Sequence, residues 1–202
     1  MWSSEAIRSA YERIRAEVGP AVTVVVATKY VTAEQMAALA EAGVEVVGEN
    51  RAQDLVAKHG RFADVFRWHF IGHLQSRKAP LVSSLCELVH SLDSLSAARR
   101  LTIPALVEVN LSGEETKSGV APTELAAFLA QAREGGVEVR GLMTMPPLAD
   151  DPEESRPYFR ELALLAAEHG LPELSMGTTQ DYRVAVEEGA TLVRVGSGLF
   201  QR

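Results

Sequence analysis

Short apolar runs rich in β-branched residues recur along the chain at 22–28, 44–48, 68–71, 88–91, 105–109, 139–142, 173–176 and 191–195. Each has the length of a strand buried on both faces, which makes eight candidate strands. Between them the apolar positions follow a helical period. Ile7, Tyr11, Ile14 and Val18 share one face of the N-terminal segment, as in a helix packed outside a sheet. Thr32 with Gln35 resembles a capping box that opens a helix over 33–42, and Gly43 suits the position that stops it. Asn50 with Gln53 reads as a similar start and Gly60 as a similar stop. Pro122 fits the first turn of a helix running to Arg133. A later pattern opens at Asp151, but Pro157 moves the start of its helix to the vicinity of Ser155.

Strands alternating with helices predict a parallel sheet, and eight repeats favour closure over an open, doubly wound sheet. The expected fold is a single (β/α)8 TIM-type barrel over residues 1–202. No low-complexity tract or Pro/Gly/Ser-rich linker divides the chain. It is short for that fold, for which about 250 residues is typical. The shortage falls between Asp93 and Pro104, where there is room for about two helical turns.

A net charge of −7 and an isoelectric point near 5.3 provide no general positive field for nucleic acid or an anionic membrane surface. Any anionic ligand must then be held by local donors. The one cysteine, Cys86, has no partner for an intramolecular disulfide, fits a reducing compartment and reads as a small buried hydrophobe. The N-terminus has charges throughout and no continuous apolar stretch, so neither a signal peptide nor a membrane span is expected, and a cytoplasmic protein follows. Sixteen arginines stand against four lysines, at positions 29, 58, 78 and 117. Arginine cannot form an imine and lysine can, so the retained lysines are candidates for chemistry.

Ligands of parallel α/β folds bind at the carboxyl ends of the strands. The first candidate strand ends in Lys29. If that side chain points inward, alternation points Thr23, Val25 and Ala27 inward too, an apolar or small environment that disfavours the ammonium form. The competing reading is a solvated lysine at a strand end. Far along the chain, SMGTTQD (175–181) follows strand seven and VRVGSG (193–198) ends strand eight. Glycine with Ser or Thr at such turns lets amides and hydroxyls converge on a phosphate, and loops seven and eight are the habitual phosphate site of barrels. An imine-forming lysine beside a phosphate cradle fits a phosphorylated aldehyde, of which pyridoxal 5′-phosphate (PLP) is the common cofactor. Arg194 could approach the pyridine nitrogen, leaving it unprotonated and the ring a poor electron sink. A salt bridge within the barrel mouth is the alternative for Arg194.

With these segments in view the chain resembles the pyridoxal phosphate homeostasis proteins, which share a barrel with the N-terminal domain of alanine racemases. The similar segments are VVVATKY around Lys29, GENRAQD (48–54), WHFIGHLQSRK (68–78), HSLDS (90–94), VNLSGEETKSG (109–119), GLMTMPP (141–147), SMGTTQD and VRVGSGLF (193–200), in the family's order over nearly the whole chain. The resemblance implies that Lys29 forms the Schiff base with PLP and that Thr179, Gly196 and Ser197 hold the phosphate, with Gly177 and Thr178 shaping that turn. It places Arg194 near the pyridine nitrogen and Asn50 near the ring, although Asn50 also reads as a helix N-cap. It implies a carrier or buffer of PLP in vitamin B6 balance, without established catalysis. Apo PLP enzymes are possible acceptors, and no swapped or appended dimerisation element is visible, which suits a monomer. The chain departs from the family at Thr178 and Thr179, where methionine and serine are usual, and at Arg77, where asparagine is usual. It also departs in ending QR after Phe200 and in an apparently deleted helix after strand four.

His69 and His73 could suggest a metal site, but their spacing shares a face only in a helix, and structural or ring-adjacent roles fit better. Glu49 with Asp54, and Glu114 with Glu115, read as solvated loop charges. An amino-acid racemase or decarboxylase would need a second domain, for which no residues follow strand eight. A Schiff-base aldolase acting on a sugar phosphate would use the same lysine without a cofactor.

Overall fold

The computed structural model describes residues 3–114 and 116–200, and in it all eight apolar runs are strands of one closed barrel. They are β1 (Thr23–Ala27), β2 (Val46–Glu49), β3 (Arg67–Phe70), β4 (Leu88–Leu92), β5 (Ala105–Glu108), β6 (Val139–Met143), β7 (Glu173–Thr178) and β8 (Leu192–Val195). Every pairing is parallel and between sequence neighbours, and β8 closes the ring against β1 with Val25 opposite Arg194. The fold is therefore a TIM-type barrel.

Alternation along the strands divides the apolar side chains into two cores. Val25, Val46, Leu88, Leu106, Met143 and Leu192 pack inside the barrel. Their neighbours Val24, Val26, Val47, Val89 and Val193 face outward, against the helical layer. Eight helices supply that layer: α1 (Ser4–Val18), α2 (Met36–Glu41), α3 (Ala52–Phe62), α4 (Ala79–Ser83), α5 (Leu95–Ala98), α6 (Leu125–Glu134), α7 (Arg156–Glu168) and α8 (Tyr182–Glu187). In α1 the buried residues are Ile7, Tyr11, Ile14 and Val18, the predicted stripe, and Ser3 caps the helix by accepting from the Ala6 amide at 3.1 Å. Cys86 is buried and its thiol is pushed up to about 12, chiefly by burial, so it behaves as a hydrophobe.

The structure corrects several helix boundaries. Regular α-helix begins at Met36 rather than residue 33, although Gln35 Oε1 does accept from the Thr32 amide at 2.8 Å, one half of the expected box. Helix α3 runs through Gly60 to Phe62, and its cap position is Arg51. Asn50 is not a cap and is free for another task. Between Asp93 and Pro104 a single turn, α5, remains, capped by Ser94. Ala97, Ala98 and Leu101 are buried on that side of the barrel.

Candidate functional site

At the carboxyl ends of the strands lies a cavity of 440 Å³ whose lining includes Lys29, Asn50, Glu108, Thr179, Arg194 and Ser197. Lys29 lies two residues past the end of β1, and its Nζ stands 4.9 Å from the centroid of the exposed Tyr30 ring. The predicted inward set holds: Val25 is in the inner core, while Ala27 and Thr23 line cavities at opposite ends of the barrel.

Lys29 itself is exposed, which corrects the expected apolar surroundings in favour of the solvated reading, but the backbone that carries it is anchored by a buried ionic cluster. Thr28 donates its hydroxyl to Glu49 Oε1 at 2.6 Å, and its carbonyl accepts from Lys58 Nζ at 2.7 Å. Lys58 is also ion-paired with Glu49. Glu49 Oε2 accepts from the Asn50 amide at 3.2 Å. Glu49 is fully buried, which corrects its reading as a solvated loop charge. Its signal was available. Alternation puts Glu49 on the helix-facing side of β2, where a carboxylate needs a partner. Asn50 presents a buried Oδ1 with no partner among the described residues, on the cavity wall.

The adjoining wall, on the β7–β8 side, is built from backbone. Strand β7 shifts register between Ser175 and Thr178, and Gly177 takes φ +88° in that irregularity. A Cβ there would lie 2.6 Å from Ala185 Cβ and 2.9 Å from Tyr182 Cα, so glycine lets α8 close onto the strand. Asp181 Oδ1 locks the turn, accepting from the Thr178 amide at 2.6 Å and its hydroxyl at 3.0 Å, while Oδ2 accepts from Ser155 Oγ at 2.8 Å. Thr179 Oγ1 accepts from the Gly196 amide at 3.1 Å, joining the two loops. Gly198 permits their approach: a Cβ on it would fall 2.6 Å from Thr179 Cγ2.

Arg194 forms the floor. It is buried, and its terminal nitrogens donate to Ser175 O and Thr144 O, both at 2.9 Å, to Ser175 Oγ, and to Met145 Sδ. No carboxylate among the described residues forms an ion pair with it, so the salt-bridge alternative is set aside. Burial lowers its pKa to about 10 against the opposing pull of Glu108 and Asp181, and it remains a cation at neutral pH. Glu108, on β5, has no hydrogen-bond or ion-pair partner for its side chain among the described residues. Burial first, then Asp93, raises it to about 7 against the effect of Arg194 and His73. The sequence reading missed Glu108, although inward alternation at the end of β5 marks it.

Lys29, Asn50, Thr178, Thr179, Arg194, Gly196 and Ser197 thus line one cavity, with Gly177 in the β7 irregularity beside it. His69 and His73 part company. His73 pairs with Asp93 at the rim (3.3 Å), and His69 points into the barrel. Of the paired carboxylates, Glu115 lies outside the described residues.

A family model of the alanine racemase N-terminal domain matches residues 3–201. The chain belongs to that family. Within this barrel family it is 41% identical over 191 residues to the pyridoxal phosphate homeostasis protein of Aquifex aeolicus, covering 86% of this chain and 84% of that one. The structure of PipY from Synechococcus elongatus without PLP superposes with a TM-score of 0.89 at 33% identity, covering 96% of this chain and all of PipY. The PipY structure with PLP bound gives 0.88 at 32% identity, again covering 96% of this chain and all of PipY.

Proposed function

We propose that the protein holds PLP as a Schiff base on Lys29 and serves PLP homeostasis as a carrier without turnover. The observation that carries this reading is one cavity in which the lysine just past β1 stands beside a wall of hydroxyls and amides from β7 and β8. PLP supplies an electrophilic aldehyde carbon at one end and a phosphate dianion at the other. Thr179, Gly196 and Ser197 would hold the phosphate, and Gly177 and Thr178 shape the turn beneath it. The orphaned Asn50 Oδ1 fits a ligand with a donor beside the ring.

Arg194 supports holding over turnover. Its terminal nitrogens are engaged, and Nε–H is left without a protein partner among the described residues. A guanidinium only donates, so a pyridine nitrogen facing it stays unprotonated and withdraws electrons weakly. The Aquifex relative's name and the PLP complex of PipY support the ligand. We read the protein as a cytoplasmic monomer whose acceptors are apo PLP enzymes. Among the described residues no helix is long and apolar enough to cross a membrane.

Borohydride reduction of PLP-loaded protein followed by peptide mapping tests the site. The label is expected on Lys29. A label on Lys58, Lys78 or Lys117 would refute it. Glu108 favours one second reading, because an unpartnered carboxyl titrating near neutrality in the cofactor cavity suits a general acid or base. Sustained racemisation of an added amino acid would replace the carrier with that enzyme.

A further inference from the structure

Inside the barrel a file of polar side chains crosses the apolar inner core. His69 Nε2 stands 3.0 Å from Glu87 Oε1, and His69 Nδ1 stands 2.9 Å from His90 Nε2. His90 Nδ1 is 2.8 Å from Ser175 Oγ, which in turn contacts Arg194 NH1. His69, His90, Ser175 and Arg194 are all buried. The file begins in a 440 Å³ depression at the amino-terminal ends of the strands, lined by Arg67, Glu87, Arg140 and Glu173, and it ends at the cofactor cavity.

With both imidazoles neutral, its two ends set the direction of every hydrogen bond between them. An ionised Glu87 can only accept, and it is held at about 2, first by the hydrogen bond from His69 and also by Arg67 at 2.7 Å. Arg194 can only donate. His69 must therefore carry its proton on Nε2, which leaves Nδ1 to accept from His90 Nε2–H. His90 Nδ1 then accepts from the Ser175 hydroxyl, whose oxygen accepts from Arg194. Donors and acceptors match one to one with both imidazoles neutral. Burial, with His69 and Arg194 adding to it, keeps His90 well below the ordinary histidine range. A proton added to His90 would place N–H against Ser175 O–H, so that hydroxyl would have to turn away and the direction of the chain would be lost.

We propose that Glu87, His69 and His90 are positioning residues for Arg194, holding through this one-directional chain the edge of the guanidinium that faces the cofactor cavity. The proposal rests on the reading that Arg194 meets the pyridine nitrogen. It makes the far face of the barrel a place from which the cofactor's environment can be altered. The charged groups that could perturb the chain from the elements around it are Arg67 on β3, Glu87 before β4, Arg140 on β6, Glu173 on β7 and, at the Arg194 end, Glu108 on β5 and Asp181 after β7.

Nitrogen-15 NMR of the histidine side chains, with PLP titrations followed by absorbance, tests it. In the unsubstituted protein both His69 and His90 are expected as Nε2–H tautomers. Glu87 is 42% exposed, so Glu87→Ala spares the core. It should release His69 into a tautomer mixture, shift the absorbance of bound PLP and weaken PLP binding by about 2- to 30-fold, the range for residues coupled to a site at a distance. Glu87→Gln, which retains an acceptor oxygen, should restore most of both. An Nδ1–H tautomer at either histidine overturns the proposal. So does an E87A variant with unchanged PLP spectrum and affinity when Arg194→Gln alters both. If R194Q itself changes neither, the reading of Arg194 at the pyridine nitrogen falls instead.

Discussion

The two walls of the cavity are held in place by opposite means. On the β1–β2 side the anchor is charge: Glu49 and Lys58 form an ion pair out of solvent, and Thr28 is hydrogen-bonded to both. On the β7–β8 side it is mostly neutral, with a glycine irregularity, a hydroxyl accepting an amide proton across two loops, and Asp181 closing the Thr178 turn. The difference suits the two tasks. A wall that receives an anion is served by hydroxyls and amides that no carboxylate holds, as at Thr179, Gly196 and Ser197. A wall that presents a nucleophilic amine needs only rigid backbone beneath it, and a buried pair gives that provided neither partner is lost.

The largest expected effect breaks the charged wall. Lys58→Met leaves Glu49 buried without its counter-ion and should cost about 3–5 kcal/mol, a fall in Tm of roughly 10 °C. The double variant K58M/E49L should recover most of it. If the single variant is neutral in thermal unfolding, the charged wall is not an anchor. Next comes Glu108, on β5 across the barrel from both walls. Its folded pKa of about 7 exceeds the ordinary carboxyl value of 4.5, so its contribution to stability is complete below pH 4.5 and is lost as pH rises through 7. Urea unfolding at pH 4 and pH 8 should show this as up to about 3 kcal/mol, absent in Glu108→Gln.

Smaller effects sharpen the neutral wall. Gly177→Ala forces a side chain into φ +88° and onto Ala185, and should cost about 1–3 kcal/mol together with weaker binding of PLP. Thr179→Val strands the Gly196 amide and should lower PLP affinity about tenfold, about 1.4 kcal/mol. Thr178→Val keeps its amide bond to Asp181 and should cost only about 1 kcal/mol of stability with little change in affinity. Equal losses of affinity in the two threonine variants would erase the distinction between holding the ligand and shaping the turn.

How much of this was legible in advance followed the range of the interactions. Strand number, barrel closure and the α1 stripe were readable because they depend on periodicity, a local property. The convergence of Lys29 and the Gly–Ser/Thr turns on one cavity was readable too, because strand ends in a parallel barrel share a face. The Asn50 cap and the Gly60 stop failed because a cap is set by where the preceding strand releases the chain, and β2 ends just before Asn50.

By itself, the sequence determined the alternation that turns Val25, Glu108 and Arg194 inward and Glu49 outward, since a strand's period of two requires no partner. Only the tertiary structure decided what those side chains met. Glu49 found Lys58 across a β–α unit, and His90 on β4 found Ser175 eighty-five residues later on β7. Packing α3 on β2 creates the first contact, and closing the barrel creates the second. A buried polar group is stable only with a partner, and the partner is set by strand register and barrel radius, which no local pattern specifies.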